Sequence, residues 1–241
     1  MSDLVPPAPV RLPPTHSARR INALARRLGA QRYLEIGVSK GRTFRAVEVA
    51  ERTGVDPNFG FDTAEVANAT THLHAMRSDA WFAEAGATGL YDIVFIDGLH
   101  VFEQVVRDLT NTLARTTWRS PILIDDTVPI DVFSSLTKQR EAVRLREAAG
   151  GKGGAWHGDV FKIVFLIHDF FPFLDYRTIT GSGNPQTLVW RSGGLARKPL
   201  FDNLEQISRL DWFALQTHAA VLQTTTEDEA IDLCVRAIEG Q

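Results

Sequence analysis

The chain of 241 residues has a single cysteine, Cys234, so no intrachain disulfide can form and a reducing compartment is the expected setting. Cys234 lies in an apolar helical pattern, where a thiol behaves as an inert small hydrophobe. There is no surplus of positive charge either: 26 Lys and Arg against 29 Asp and Glu leave a net charge of -3, which gives no global electrostatic grip on nucleic acid. No apolar run reaches membrane-spanning length. Pro6, Pro7, Pro9, Pro13 and Pro14 break the opening stretch where a secretory signal needs an unbroken apolar core. A cytoplasmic protein acting on neither nucleic acid nor membrane is therefore expected. What remains is 44% hydrophobic, and the length suffices for one well-buried α/β domain.

The most informative stretch runs from Arg32 to Arg42, Arg-Tyr-Leu-Glu-Ile-Gly-Val-Ser-Lys-Gly-Arg. An apolar strand ends in an acid, Glu35, and a turn punctuated by Gly37 and Gly41 follows; a turn that brings bare backbone close to a nucleotide needs glycine at its tight points. The Gly-x-Gly-x-x-Gly of dinucleotide binders is missing, and with it the glycine that admits a pyrophosphate. An NAD-dependent oxidoreductase is disfavoured on that ground. The spacing Glu-x-Gly-x-x-x-Gly instead resembles motif I of class I S-adenosylmethionine-dependent methyltransferases, whose turn faces the amino-acid part of the cofactor.

Alternation of strand and helix extends beyond this motif. Strands are expected at Arg32–Ile36, at a segment ending in Val55-Asp56, around His74–Arg77, at Tyr91–Ile96 and at Pro121–Ile124. Helices are expected from Ser17, which can cap an apolar stripe of Ile21, Leu24, Ala25 and Leu28, from Arg42 to Arg52, and through Phe102, Val105, Val106, Leu109 and Leu113. The run ending in Ile96 is continuously apolar, as in a parallel strand buried on both faces. A βαβ series of this kind makes a doubly wound sheet. After the flexible break Gly150–Gly154, Asp159 is positioned to cap a helix running to Asp169. Phe173–Thr180 and Thr187–Arg191 then flank the turn residues Gly181 to Pro185 as a hairpin. The resemblance implies an α/β Rossmann-like fold with a seven-stranded, mostly parallel sheet closed by that antiparallel hairpin. Residues 1–16 read as an extended arm, 17–192 as the methyltransferase domain, and 193–241 as a helical extension packed on it, with Thr226 and Glu229 forming a capping box. The arm and tail either cover the site or join subunits, so a homo-oligomer stays open.

In an open parallel sheet the ligand lies beyond the carboxyl ends of the strands. Acids stand at all of them: Glu35, Asp56, Asp79, Asp97 and the pair Asp125-Asp126. Asp56 follows the glycine turn by about the 20 residues at which nucleotide-binding α/β folds place an acid for ribose hydroxyls. The resemblance implies that Gly37, Ser39 and Gly41 border the methionine part of S-adenosylmethionine, and that Ser78, Asp79 and Ala80 receive the adenine. Glu35 and Asp97 complete the cofactor-binding set. Asp97, Asp125 and Asp126 would repel one another unless a cation lay between them, and oxygen ligands suit Mg²⁺ or Mn²⁺. Here the resemblance sharpens to metal-dependent O-methyltransferases, in which an Asp at the fourth strand end and Asp-Asn or Asp-Asp at the fifth bind the metal. Ile-Asp-Gly-Leu-His with Glu103 and Asp108 is most similar to the branch acting on sugars and secondary metabolites.

A metal-bound hydroxyl is acidified and oriented, and a histidine tuned near neutrality can take its proton. His100 stands where the catechol branch has a lysine base, and is the first candidate; His157, beside Trp156 before the helix expected from Asp159, is the second. The expected function is thus Mg²⁺-assisted methyl transfer to a hydroxyl of a small-molecule acceptor, a sugar or secondary metabolite. The alternatives are a metal-independent methyltransferase of the same fold and a non-catalytic binder of the cofactor.

Overall fold

The apolar run ending at Ile96 is paired on both sides, which places it at the middle of the sheet. In this computed structural model, which describes residues 15–84, 89–194 and 196–240, the strands are β1 (Arg32–Ile36), β2 (Glu51–Val55), β3 (Thr71–His74), β4 (Ile93–Ile96), β5 (Ile122–Ile124), β6 (Leu174–Ile179), β7 (Gln186–Arg191) and β8 (Thr224–Thr225). Their order is β3-β2-β1-β4-β5-β7-β6-β8. β1 to β5 are parallel, and β7 enters antiparallel between β5 and β6. The sheet reverses direction of growth between β1 and β4, where a doubly wound fold opens its crevice.

The expected Rossmann-like fold and antiparallel closing hairpin are present, with eight strands rather than seven. The eighth comes from the tail. Thr224 and Thr225 lie parallel to β6, and the Thr178 and Thr180 N–H groups donate to the Gln223 and Thr225 carbonyls, so an open edge is covered.

Helices cover both faces. α1 (His16–Leu28), α2 (Arg42–Ala46) and α9 (Glu227–Glu239) enclose one core around Ile21, Phe44, Phe95 and Val235; α4 (Phe102–Leu113) and α6 (Lys162–Phe170) enclose the other around Val94, Leu109 and Phe165. The first helix is capped by Thr15, not Ser17, whose hydroxyl is buried and accepts from the Gln186 amide. α2 stops at Ala46 instead of reaching Arg52, because Val47 is extended and both Val47 and Val49 turn into the core. β3 lies earlier than expected, at Thr71–His74, which frees Ser78 to open a short helix, α3 (Ser78–Ala83). α5 (Gln139–Ala148) was not expected: only a thin apolar stripe marks it. In the tail are α7 (Leu204–Ser208) and α8 (Trp212–Thr217). The proline-bearing part of the arm lies outside the described residues. No described helix is long and apolar enough to cross a membrane.

The first and last described helices, α1 and α9, meet at Glu227, in the first turn of α9. Arg19 and Arg20 of α1 reach it at 2.6 and 3.1 Å, and the Ser182 hydroxyl donates to it at 2.9 Å. Burial opposes the charge, yet these hydrogen bonds hold the Glu227 carboxyl down at about 2. A depressed carboxylate stabilises the fold above its unfolded pKa, 4.5, and loses that contribution as pH falls toward 2. Glu227→Gln is expected to flatten this acid limb in urea melts taken from pH 5 to pH 2; an unchanged limb would exclude the linkage.

Candidate active site at the carboxyl rim of the sheet

Strand pairing brings the acids together. The Ile36 carbonyl accepts from the Asp97 N–H and the Ile96 carbonyl from the Asp125 N–H, so the ends of β1, β4 and β5 are level. Gly37, with φ +88°, crosses the end of β4 so closely that a Cβ would lie 1.9 Å from the Asp97 carbonyl oxygen. Glycine is thus required by the chain's own crossing. Gly41 closes the turn by donating to the Val38 carbonyl. The Asp56 carboxylate splints it, accepting the Ser39 N–H (2.8 Å) with one oxygen and the Asn58 N–H (2.7 Å) with the other.

Glu35 is buried on β1 and accepts from the Tyr33 hydroxyl at 2.6 Å. Burial pushes its carboxyl well above the ordinary range, and Asp97, Asp56 and Asp125 push it further. Ser78, Asp79 and Ala80 form the first turn of α3. Asp79 pairs there with Arg107 of α4 (3.1 Å), and the Gln104 amide donates to Ser78 and Asp79.

At the ends of β4 and β5, one atom each of Asp97, His100 and Asp126 falls within 4.8 Å of the others. Asp125 is outside this trio among the described residues; its Oδ1 accepts the Asp126 N–H (2.9 Å) and the Asn184 amide. Asp126 adopts the left-handed conformation, φ +58°, which is uncommon outside glycine and turns its carboxylate toward His100. His100 Nδ1 lies 2.9 Å from Asp126 and Nε2 lies 3.5 Å from Asp97. Burial alone would lower the His100 pKa, but the hydrogen bonds to Asp126 and Asp97 outweigh it and push it up to about 10. Burial also raises the Asp97 carboxyl, to about 6.

The second histidine arrives on a loop that is tied down. Gly158, with φ +60°, lies against His100 so that a Cβ would sit 1.7 Å from the His100 carbonyl oxygen. Trp156 stacks on the His100 ring, 4.9 Å between centroids, and donates its indole N–H to the Leu136 carbonyl. Arg146, nearly buried, donates to the Gly153 and Ala155 carbonyls and to Asp131, so the stretch read as a flexible break is anchored at its far end. His157 Nε2 is 3.7 Å from Asp126, while its Nδ1 is buried without a hydrogen-bond partner. Burial lowers its pKa and so favours the neutral ring. Asp159 is a helix cap, though of α4 and not α6: its Oδ1 accepts the Phe102 N–H at 2.8 Å, and Lys162 holds its other oxygen.

Asn184, in the β6–β7 loop, is a site residue with no signal in the sequence; its side-chain amide donates to both Asp125 and Asp126. A 480 Å³ cavity lined by Arg177, Arg197 and His168 opens at the opposite end of β6 and shares no residue with this cluster.

Residues 34–127, which hold the glycine turn and Glu35, Asp56, Asp79, Asp97, Asp125 and Asp126, match the family described as a methyltransferase domain. The chain has the methyltransferase fold. Similar solved structures include a putative O-methyltransferase from Klebsiella pneumoniae (16% identity, 76% of this chain and 83% of that one, TM-score 0.52) and the O-methyltransferase from Bacillus cereus in complex with S-adenosylhomocysteine (13%, 77% and 84%, 0.52). A putative caffeoyl-CoA O-methyltransferase from Staphylococcus aureus matches at 11% identity over 75% of this chain and 86% of that one, with a TM-score of 0.51. At such identities the likeness is one of fold. No curated protein matches the chain in sequence.

Proposed function

We propose that this chain is an S-adenosylmethionine-dependent O-methyltransferase that methylates a hydroxyl of a sugar or other small metabolite, assisted by Mg²⁺ or Mn²⁺. The observation that carries the reading is the convergence of Asp97, His100 and Asp126 at the carboxyl rim of a methyltransferase fold. The Bacillus cereus neighbour, solved with S-adenosylhomocysteine, supports the cofactor class.

The crevice fits a cationic methyl donor. Asp97 and Asp56 add to the burial that raises the proton affinity of Glu35, and Asp126 and Asp56 to that of Asp97, a surplus of acid that a sulfonium and an ammonium would relieve. Gly37, Ser39 and Gly41 would border the amino-acid part, Asp56 would accept from ribose hydroxyls beside the N–H groups it already holds, and Ser78, Asp79 and Ala80 would flank the adenine. Two carboxylates and an imidazole also fit a divalent cation. Asp97, Asp126 and His100 would hold it, with Asp125 behind, fixing the Asp126 backbone. When bound, the cofactor supplies the electrophilic methyl group and the cation acidifies the acceptor hydroxyl.

The chain's own part is alignment and proton movement. The walls of the crevice hold the hydroxyl in line with the sulfur–methyl bond, a contribution that positioning alone makes large. The two candidate bases differ in charge. Without the cation, Asp97 and Asp126 hold a proton on His100 and push its pKa up to about 10; with the cation, the ring would give up that proton and its lone pair would face the ion, so in neither state is His100 free to act as base, whereas burial lowers the His157 pKa and favours its proton-accepting form. The reading therefore gives His157 the proton and His100 a place among the ligands of the cation.

Calorimetry with S-adenosylhomocysteine tests the cofactor assignment: one site per chain is expected, and a wild-type protein that gives no heat would remove it. His100 already places positive charge between two carboxylates, which favours the metal-independent alternative. Transfer from radiolabelled S-adenosylmethionine to a panel of hydroxyl compounds separates the two. The proposed reading expects EDTA to abolish labelling and Mg²⁺ to restore it; full activity in EDTA would select the alternative.

A further inference from the structure

Arg20 of α1 has no solvent exposure, yet it lies on the far side of the β6–β7 loop from the acids. Its guanidinium makes a fan of bonds to that loop: to the Asn184 carbonyl (2.8 Å), the Gln186 side-chain oxygen, the Ser182 carbonyl and the Ser182 hydroxyl (3.2 Å). Glu227 of α9 neutralises it from behind, at 3.1 Å. A buried guanidinium saturated with acceptors is a rigid part, because moving any one partner strands a buried donor. The loop it grips ends in β7, whose first residue, Gln186, is also tied to Ser17 of α1 at 2.7 Å.

Asn184 is the residue this grip presents to the site. Its carbonyl is held by Arg20 and its side-chain amide donates to Asp125 and, at 3.0 Å, to Asp126. One NH₂ group thereby sets the spacing of two carboxylates that repel each other. It also bonds the side chain of Asp126, the residue whose left-handed backbone needs outside support.

We infer that Asn184 is a positioning residue for the cation site, and that Arg20 of α1 and Glu227 of α9 set its place, so that the first and last described helices both support the active centre. The inference rests on the cation-assisted reading above. Partners one bond removed from metal ligands orient them, and their loss commonly weakens metal binding by about ten- to a hundredfold. Asn184→Ala spares Asp97, His100 and Asp126 and removes the bridge, together with the Asn184 contact to His157. Arg20→Lys keeps the charge but not the fork that spans the loop.

The experiment is Mn²⁺ binding to the full chain, read by electron paramagnetic resonance, with S-adenosylhomocysteine affinity and the melting temperature measured on the same samples. Asn184→Ala is expected to bind Mn²⁺ at least tenfold more weakly, with S-adenosylhomocysteine affinity within about twofold of wild type, a split that general loosening of the fold would not produce. Arg20→Lys is expected to fall in the same direction. Wild-type Mn²⁺ affinity in Arg20→Lys would remove Arg20 from this role; should that variant fail to fold, Glu227→Gln, which loosens the same grip at Arg20 and Ser182, is read in its place. Wild-type Mn²⁺ affinity in Asn184→Ala would overturn the inference and leave the cation reading standing. A wild-type chain that binds no Mn²⁺ would remove the cation reading and this role together.

Discussion

Gly37→Ala is expected to cost at least about 3 kcal/mol of folding stability and to abolish S-adenosylhomocysteine binding in whatever folded protein remains. The cause is local. The added methyl would lie 1.9 Å from the Asp97 carbonyl oxygen and 2.7 Å from the Gly98 Cα, both backbone atoms that no rotamer change can move aside. The left-handed φ adds its own strain. Gly29→Ala is the matched comparison, since Gly29 has φ +66° at the end of α1 with nothing within 4 Å of the new methyl. Its cost should stay near the 1–2 kcal/mol of the left-handed conformation alone. Urea melts of the two variants read the difference directly. Equal small losses would mean that the first turn does not cross β4 as described, and the crevice built on that crossing would lose its floor.

Asp126→Asn is expected to weaken Mn²⁺ binding at least a hundredfold, about 2.7 kcal/mol, while S-adenosylhomocysteine affinity changes by less than about threefold. The substitution keeps the shape, and asparagine tolerates the left-handed backbone at this position, so the loss would report charge and not collapse. A second readout follows from His100, whose pKa is raised from 6.5 to about 10 by Asp126 and Asp97 against the pull of burial. A raised folded-state pKa gives stability that is complete below 6.5 and lost as pH rises through about 10. Wild-type stability should therefore decline across that window, and Asp126→Asn should flatten much of the decline, leaving the weaker contact with Asp97. Unaltered Mn²⁺ affinity in the variant would exclude Asp126 as a ligand.

Much of this centre is legible in the letters because backbone pairing leaves little choice. The largely apolar segments ending in Ile36, Ile96 and Ile124 read as central parallel strands, and their level ends bring Glu35, Asp97 and Asp125 to one rim. The α4 stripe of Phe102, Val105 and Leu109 is equally direct. What escaped depends on contacts between segments distant in the chain. Nothing near Asn184 signals two aspartates 58 and 59 residues away. Asp159 looks like the cap of the helix that follows it, yet it reaches back to Phe102 of another helix. Val47 and Val49 continue a helical pattern in one dimension but are drawn into the core as extended chain, which ends α2 early. The fate of Asp125 turns on a single backbone angle: once Asp126 is left-handed, the two neighbours cannot point the same way, and Asp125 bonds to the Asp126 N–H instead.

Crystals grown with S-adenosylhomocysteine and Mn²⁺, with anomalous data collected for manganese, test the central claim most directly. The account predicts cofactor density between the Gly37 turn, Asp56 and Asp97, and one anomalous peak bounded by Asp97, His100 and Asp126. Cofactor density elsewhere on the chain, or manganese bound away from those three side chains, would contradict it.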